Sequence, residues 1–418
     1  RVTPVRYRFS LGSEGRVFHD GSRLTADDVA AMYNSVLDEK TASPHRGTLK
    51  HIANITVIDK DTIDFELAVP DPLFPGLLVI GIAPSNRLAD SLSRNPLGSG
   101  EFEFVAWPDD TRLVLRRTRD AQLVELLKVR KPTVRVLKLL RGEIDVMQND
   151  LMPELVAWLQ GRPDLVVTQR QGTNFSYIGF NMQDLIVGDP LIRRAIAHGI
   201  DRQAIIDNLL RGTARKANAI LPPEHWAGNP DLTSLEYDPE LARKLIAKAG
   251  YSFDRPLRIV YKTSTDPLRV RIATIIQNQL ADVGITIDLQ TYDWGTFYGD
   301  IKAGRFQMYS LAWVGIKMPD IFRYTMHSES LPNAGANRGR FINARADSLI
   351  ETAEVAQIQE EQAQLYRELQ ALLLEELPYI PLWYEDHYVI TNEGVEGYSL
   401  AADGNYDGLI HAEKIVIP

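Results

Sequence analysis

Two places in the chain gather residue types capable of chemistry. Gly98-Ser99-Gly100 sets a serine between glycines, as a nucleophile turn does, and eight histidines offer a base. Such a serine must stand between a strand and a helix, and residues 97 and 102 do not supply that pattern. The second place is the apolar run Phe306-Gln-Met-Tyr-Ser-Leu-Ala-Trp313, leading into Val314-Gly-Ile-Lys-Met-Pro-Asp-Ile-Phe322. An indole followed by an ammonium is binding chemistry: Trp313 offers a contact wall, and Lys317 either pairs with an anionic group or stays solvated. No H-E-x-x-H, Walker A or G-x-G-x-x-G sequence occurs, and the carboxylates are spread over caps and helix faces. The chain also lacks cysteine, which removes thiol catalysis, cysteine metal sites and disulfides. No catalytic residue, metal site or cofactor is expected.

The elements that must position these residues follow from periodicity and caps. Val5 to Leu11 alternates as a half-buried strand. The Asp20-Gly21 turn leads to Thr25-Ala-Asp-Asp28, a capping box for a helix through Leu37. Ile52 to Ile58 and Thr62 to Val69 read as a hairpin, and Phe102 to Trp107 and Arg112 to Arg116 as a second pair. Gly98 and Gly100 are expected at positive φ in a tight turn. Beyond residue 130 helices and strands alternate. Pro132, Asp189-Pro190, Asp238-Pro239 and Asp266-Pro267 open helices, Asp201 caps another, and Gly142, Gly212, Gly250 and Gly284 stop them. Asn174 to Asn181, Ile285 to Leu289, Gln307 to Trp313 and Tyr379 to Tyr384 read as strands, and Glu360 to Glu376 as a long amphipathic helix. This alternation predicts α/β lobes with largely parallel sheets.

The 418 residues are 44% hydrophobic and 24% charged, enough apolar material for two or more cores. A net charge of −9 argues against nucleic acid, whose phosphates need a basic face. The most apolar run, Leu73 to Ala83, is short and broken by Pro75 and glycines, so no transmembrane helix is expected. Arg1 to Leu11 already reads as the middle of a strand, and a leading segment is expected upstream, where any export signal or lipid-bearing cysteine would lie.

Phe18-His-Asp-Gly21 with Leu24-Thr-Ala-Asp-Asp-Val29, Pro96-Leu-Gly-Ser-Gly-Glu-Phe102, Leu139-Leu-Arg-Gly-Glu-Ile-Asp145 and Ala195-Ile-Ala-His-Gly-Ile-Asp-Arg202 occur in one order. That ordered set resembles the family 5 extracellular solute-binding proteins of ABC transporters, the dipeptide-, oligopeptide- and nickel-binding group, over nearly the whole chain. The resemblance implies the two-lobe periplasmic-binding-protein fold (class II, large cluster C type), an α/β architecture with two crossing strands and a subdomain inserted in lobe one. Mapped by order, residues 1–95 are the remainder of that subdomain, 96–174 lobe one, 175–380 lobe two, and 381–418 the return to lobe one. It implies a periplasmic or extracytoplasmic, monomeric receptor that delivers a peptide or peptide-like solute to ABC permease subunits. A non-peptide solute is the alternative, with a hydrolase or a signalling or chaperone subunit behind it.

The loop after Trp313 resembles the family's cleft loop, "G-W-x-x-D-x-x-D-P-D-x-F". In peptide-binding relatives the Asp three residues after the tryptophan pairs with the peptide ammonium. Here that position is Ile316, followed by Lys317. A buried ammonium without a carboxylate costs several kcal/mol, so ligands neutral or anionic at this end are expected unless another segment supplies the carboxylate. The resemblance also places Tyr177, Phe180 and Asn181 of the first crossing strand against the cleft floor. Asn337, in Asn333-Ala-Gly-Ala-Asn-Arg338, matches the family's "G-x-N". The expected ligand-binding set is therefore Tyr177, Phe180, Asn181, Trp313, Val314, Gly315, Ile316, Lys317 and Asn337. Phe180 as core, and Asn181 and Asn337 as scaffold ties, are the competing assignments.

Overall fold

The computed structural model describes residues 1–43, 45–88, 92–252 and 254–415. The chain forms two compact units: Arg1–Arg135 with Glu354–Ile358, and Val136–Ala353 with the chain from Gln359 on.

The first unit holds two three-stranded antiparallel sheets. In one, Thr62–Leu67 lies between Arg6–Ser10 and Ile52–Asp59. Helix Ala26–Leu37 packs Val29, Tyr33 and Val36 into a core with Tyr7, Phe18, Phe65 and Phe74. The expected capping box forms, with the Asp28 carboxylate accepting from the Thr25 N–H at 2.8 Å. The second sheet adds Leu123–Leu127 to the hairpin Phe102–Asp109 and Arg112–Arg117. Sequence periodicity missed this edge strand because it does not alternate: Leu123, Leu126 and Leu127 are all exposed. Gly98 and Gly100 correct an expectation, since neither adopts positive φ and a Cβ at either would meet nothing within 4 Å. His19 holds that turn instead, its N–H donating to the Gly98 carbonyl and its ring bonding the Gly100 carbonyl, each at 2.9 Å.

The second unit is built on a mixed sheet in the order Ile285–Tyr292, Leu257–Ser264, Met308–Trp313, Leu165–Phe180, Tyr379–Asn392, Val146–Gln148, with Ala214–Lys216 beside Tyr379–Asn392. Only the first three strands run parallel. The expectation of largely parallel sheets is thus too broad. Alternation of helix and strand predicts parallel crossovers locally, but the two long strands bring chain segments far apart in sequence side by side and antiparallel. Both extend well past the alternating stretches, to 16 and 14 residues.

Side-chain alternation along Leu165–Phe180 divides two cores. Ile178 and Phe180 join Ile196, Ile259, Ile276 and Ile380 on one face. Phe175 and Tyr177 join Phe322, Tyr366, Leu369 and Tyr384 on the other. Helices close over both faces with the anticipated caps. Asp189, Asp201, Asp238 and Asp266 each accept an N–H of the first turn at 2.8–3.0 Å. Gly212, Gly250 and Gly284 follow their helices at φ +74, +88 and +90. A third core of Val136, Leu139, Met147, Leu159, Leu165 and Ile390 covers the other ends of the long strands.

Where the two long strands change register, between Glu385 and His387, they pass Gly172. A Cβ there would lie 2.2 Å from the Glu385 carbonyl oxygen. Backbone cannot yield as a flexible side chain does, so Gly172→Ala should destabilise the protein by about 1–3 kcal/mol. Urea unfolding of the variant checks this; unchanged stability would mean that the strands separate freely here.

Candidate functional site

The three parallel strands end together at Ser264, Tyr292 and Trp313. The edge outside the carboxyl ends of parallel strands is where ligands dock in open α/β sheets. Two helices begin there, Pro267–Ala281 capped by Asp266 and Trp294–Ala303 capped by Asp293. The first long strand arrives antiparallel, with Phe175 opposite Trp313, so Asn174 and Ser176 reach the same edge.

The loop after Trp313 is tied down on both sides. Gly315, at φ +70, donates its N–H to Asn174 Oδ1 at 3.2 Å. The His225 ring bonds the Lys317 carbonyl at 3.1 Å. Lys317 Nζ lies 2.6 Å from Asp403 Oδ2, and that hydrogen bond raises the ammonium's pKa. Val314 is exposed, whereas Ile316 is folded against the core containing Tyr177. Tyr177 is fully buried, stacked on Tyr379 at 4.0 Å between centroids and more distantly on Trp313 at 6.5 Å.

The structure brings Tyr177 and residues 313–317 together and sets the other expected residues apart. Phe180 pairs with Met308, five residues back from Trp313, which places it and Asn181 roughly 17 Å away at the opposite sheet edge. There Phe180 is core, and Asn181 Nδ2 donates to the Phe306 carbonyl at 3.2 Å. Asn337 is buried and spends its amide on its own loop, donating to the His327 and Phe341 carbonyls and accepting from the Phe341 N–H.

Three groups at this edge escaped the sequence reading. Arg269, on the first turn of its helix, forms a two-point pair with Glu385 of the second long strand, at 2.7 and 3.2 Å. Ser176 donates to the same carboxylate at 2.7 Å. Burial alone would raise the Glu385 carboxyl, but the Arg269 guanidinium outweighs it and holds the group at about 2. Arg269 and Ser176 line a small concavity with Ser310, Leu311 and Trp383. The third group, Arg338, lies over the Trp313 ring at 4.5 Å. Glu385 stands one residue past the point where alternation ends the strand, and Arg338 adjoins Asn337 without any periodic signal. Among the described residues, no three His, Asp or Glu side chains converge as metal ligands, and no helix is long and apolar enough to cross a membrane.

The family model for bacterial extracellular solute-binding proteins, family 5 Middle, matches residues 6–333. The chain is 26% identical to the di/tripeptide-binding protein 2 of Pseudomonas aeruginosa over 92% of its length and 78% of that protein. It is 27% identical to the heme-binding protein A of Haemophilus influenzae over 94% of its length and 79% of that protein. The structure of NikZ from Campylobacter jejuni in complex with Ni(L-His) superposes with a TM-score of 0.88 at 22% identity, covering 99% of this chain and 89% of that one.

The Arg269–Glu385 pair predicts a specific acid response. A carboxyl held at about 2 in the fold, against an ordinary value near 4.3 when unfolded, contributes stability that is complete above the unfolded value. That contribution is lost as pH falls through the folded one. Glu385→Gln should therefore flatten the decline in stability between about pH 4.3 and 2, and destabilise the protein at pH 7 by about 1–3 kcal/mol. Denaturant melts across pH check this; parallel curves for variant and native protein would dissociate the pair from acid stability.

Proposed function

The chain belongs to the bacterial extracellular solute-binding proteins of family 5, and from that premise we propose that it captures a peptide-like solute lacking a free α-ammonium and delivers it to the permease subunits of an ABC importer. The observation that carries this reading is Ile316, a half-buried apolar residue packed against the core where peptide-binding relatives are expected to present a carboxylate. The neighbouring carboxylates are already engaged, Asp403 with Lys317 and Glu385 with Arg269. An incoming ammonium would have to displace one of these pairs, and the cation left behind would lose its partner. A neutral or anionic group meets no such cost.

In this reading Tyr177 and the segment Trp313 to Lys317 form one wall of the ligand site, while Phe180, Asn181 and Asn337 hold its frame. Residues 96–174 and 381–418 act as one lobe, 175–380 as the other, and 1–95 as the remainder of a subdomain inserted in the first lobe. The crossing strands serve as the hinge of a monomer that closes on its ligand without turning it over. The range of named relatives, from di/tripeptide- to heme-binding, supports leaving the rest of the ligand's chemistry to the pocket rather than to the fold.

Calorimetry with matched probes tests the reading. N-acetyl-Ala-Ala should bind more tightly than Ala-Ala by about tenfold or more, an energy of about 1.4 kcal/mol. Tight binding of the free dipeptide that is lost on N-acetylation would overturn it. Ile316→Asp should favour the free-amine probe, since a carboxylate–ammonium contact strengthens as water is excluded. Trp313→Ala should weaken the acetylated probe by about 1–3 kcal/mol, the value of an aromatic wall, while the protein stays folded by circular dichroism. Unaltered affinity in that variant would make Trp313 part of the core alone.

A further inference from the structure

Arg338 is a buried cation without a counter-anion. Its residue is 7% exposed, and among the described residues it forms no salt bridge. The guanidinium lies over Trp313 at 4.5 Å and over Tyr298 at 5.2 Å, and it donates to the hydroxyls of Tyr177 at 3.3 Å and Tyr298 at 3.2 Å. Two of its five N–H groups are used in this way, which leaves three without a protein acceptor. The surroundings are rich in donors as well. The buried hydroxyls of Tyr309 and Tyr379 and the indole N–H of Trp313 cluster beside it and add donors but no anion. Lys302 Nζ adds a second positive charge over Tyr298, while the nearby Asp300 is occupied by Lys262 and Arg305.

Aromatic faces stabilise a guanidinium but do not neutralise it, and phenol oxygens accept only part of what it can donate. A structural arginine at such burial ordinarily finds a carboxylate or several carbonyls, as Arg193 and Arg202 do here with backbone oxygens. Arg338 has neither. The missing partner is an anionic acceptor, and the planar fork between two rings suits a planar carboxylate.

We propose that Arg338, caged by Trp313, Tyr298 and Tyr177, is the recognition site for a carboxylate of the bound solute. The assignment rests on the receptor reading above and narrows it: the preferred solute lacks an ammonium and bears an acid group. Arg338 then acts as a specificity-determining residue, because a neutral isostere leaves its charge unpaired.

The test uses sodium acetate as probe and acetamide as its uncharged isostere, with ionic strength fixed. Tryptophan fluorescence and the melting temperature of the full chain are followed together. Acetate should shift both saturably, and acetamide neither. Arg338→Gln should weaken the acetate response by about tenfold or more, as expected for loss of charge-assisted bonds, and Arg338→Lys should recover only part of it. Should Arg338→Gln fail to fold, Tyr298→Phe, which removes one hydroxyl holding the guanidinium, should lower acetate affinity a few-fold. Equal responses to acetate and acetamide in native protein would overturn the proposal. So would chloride matching acetate, or an acetate response that survives Arg338→Gln. None of these outcomes bears on whether N-acetyl-Ala-Ala outbinds Ala-Ala, so the two readings fail separately.

Discussion

The antiparallel ladder between Leu165–Phe180 and Tyr379–Asn392 is the constraint on which the rest of the second unit depends. It runs from Tyr379 opposite Gly179 to Asn392 opposite Leu165, passing all three hydrophobic cores of that unit. Because side chains alternate, a slip of one residue would exchange the two faces, putting Phe175 and Tyr177 into the wrong core and removing Ser176 from Glu385. The ladder therefore fixes which residues reach the edge where the parallel strands end. The ladder is irregular at two places, between Pro381 and Trp383 and between Glu385 and His387, the second beside Gly172.

Charge at that edge is almost fully balanced within the protein. Lys317 meets Asp403, Arg269 meets Glu385, and Lys262 meets Asp300. Each pair joins segments distant in sequence and so contributes to geometry as well as to solvation of the ions. The exposed member of the first pair, Lys317, gains little free energy from it, since water screens the interaction. The half-buried Arg269–Glu385 pair matters more, because either ion alone would be left poorly solvated. Arg338 departs from this balance, and the aromatic rings around it keep it positioned without neutralising it.

This arrangement accounts for how one fold serves relatives named for different ligands. The two long strands, the helix caps and the stacked cores set the frame. In the proposed function, selectivity is left to a few side chains at strand ends, where an apolar Ile316 or a guanidinium without a carboxylate alters which charge is accepted while the ladder stays unchanged.

The local elements were legible in the sequence because their causes are local. Asp-Pro pairs open helices and glycines at positive φ close them within a single turn, so Asp189, Asp266, Gly250 and Gly284 mark boundaries unaided. The ordered motifs were legible for the same reason. The full length of the two long strands was not, because past Tyr384 and before Asn174 the chain stops alternating and is held extended by its neighbours in the sheet. Likewise Asn181 and Trp313 both read as site residues until antiparallel pairing set them at opposite ends of the sheet. The sequence by itself determined where helices and turns fall and which family motifs the chain carries, since those rest on contacts within a few residues. Only the tertiary structure decided that Glu385 answers Arg269 and that Arg338, among the described residues, meets phenol hydroxyls and no carboxylate, because charge balance depends on neighbours more than a hundred residues away in the chain.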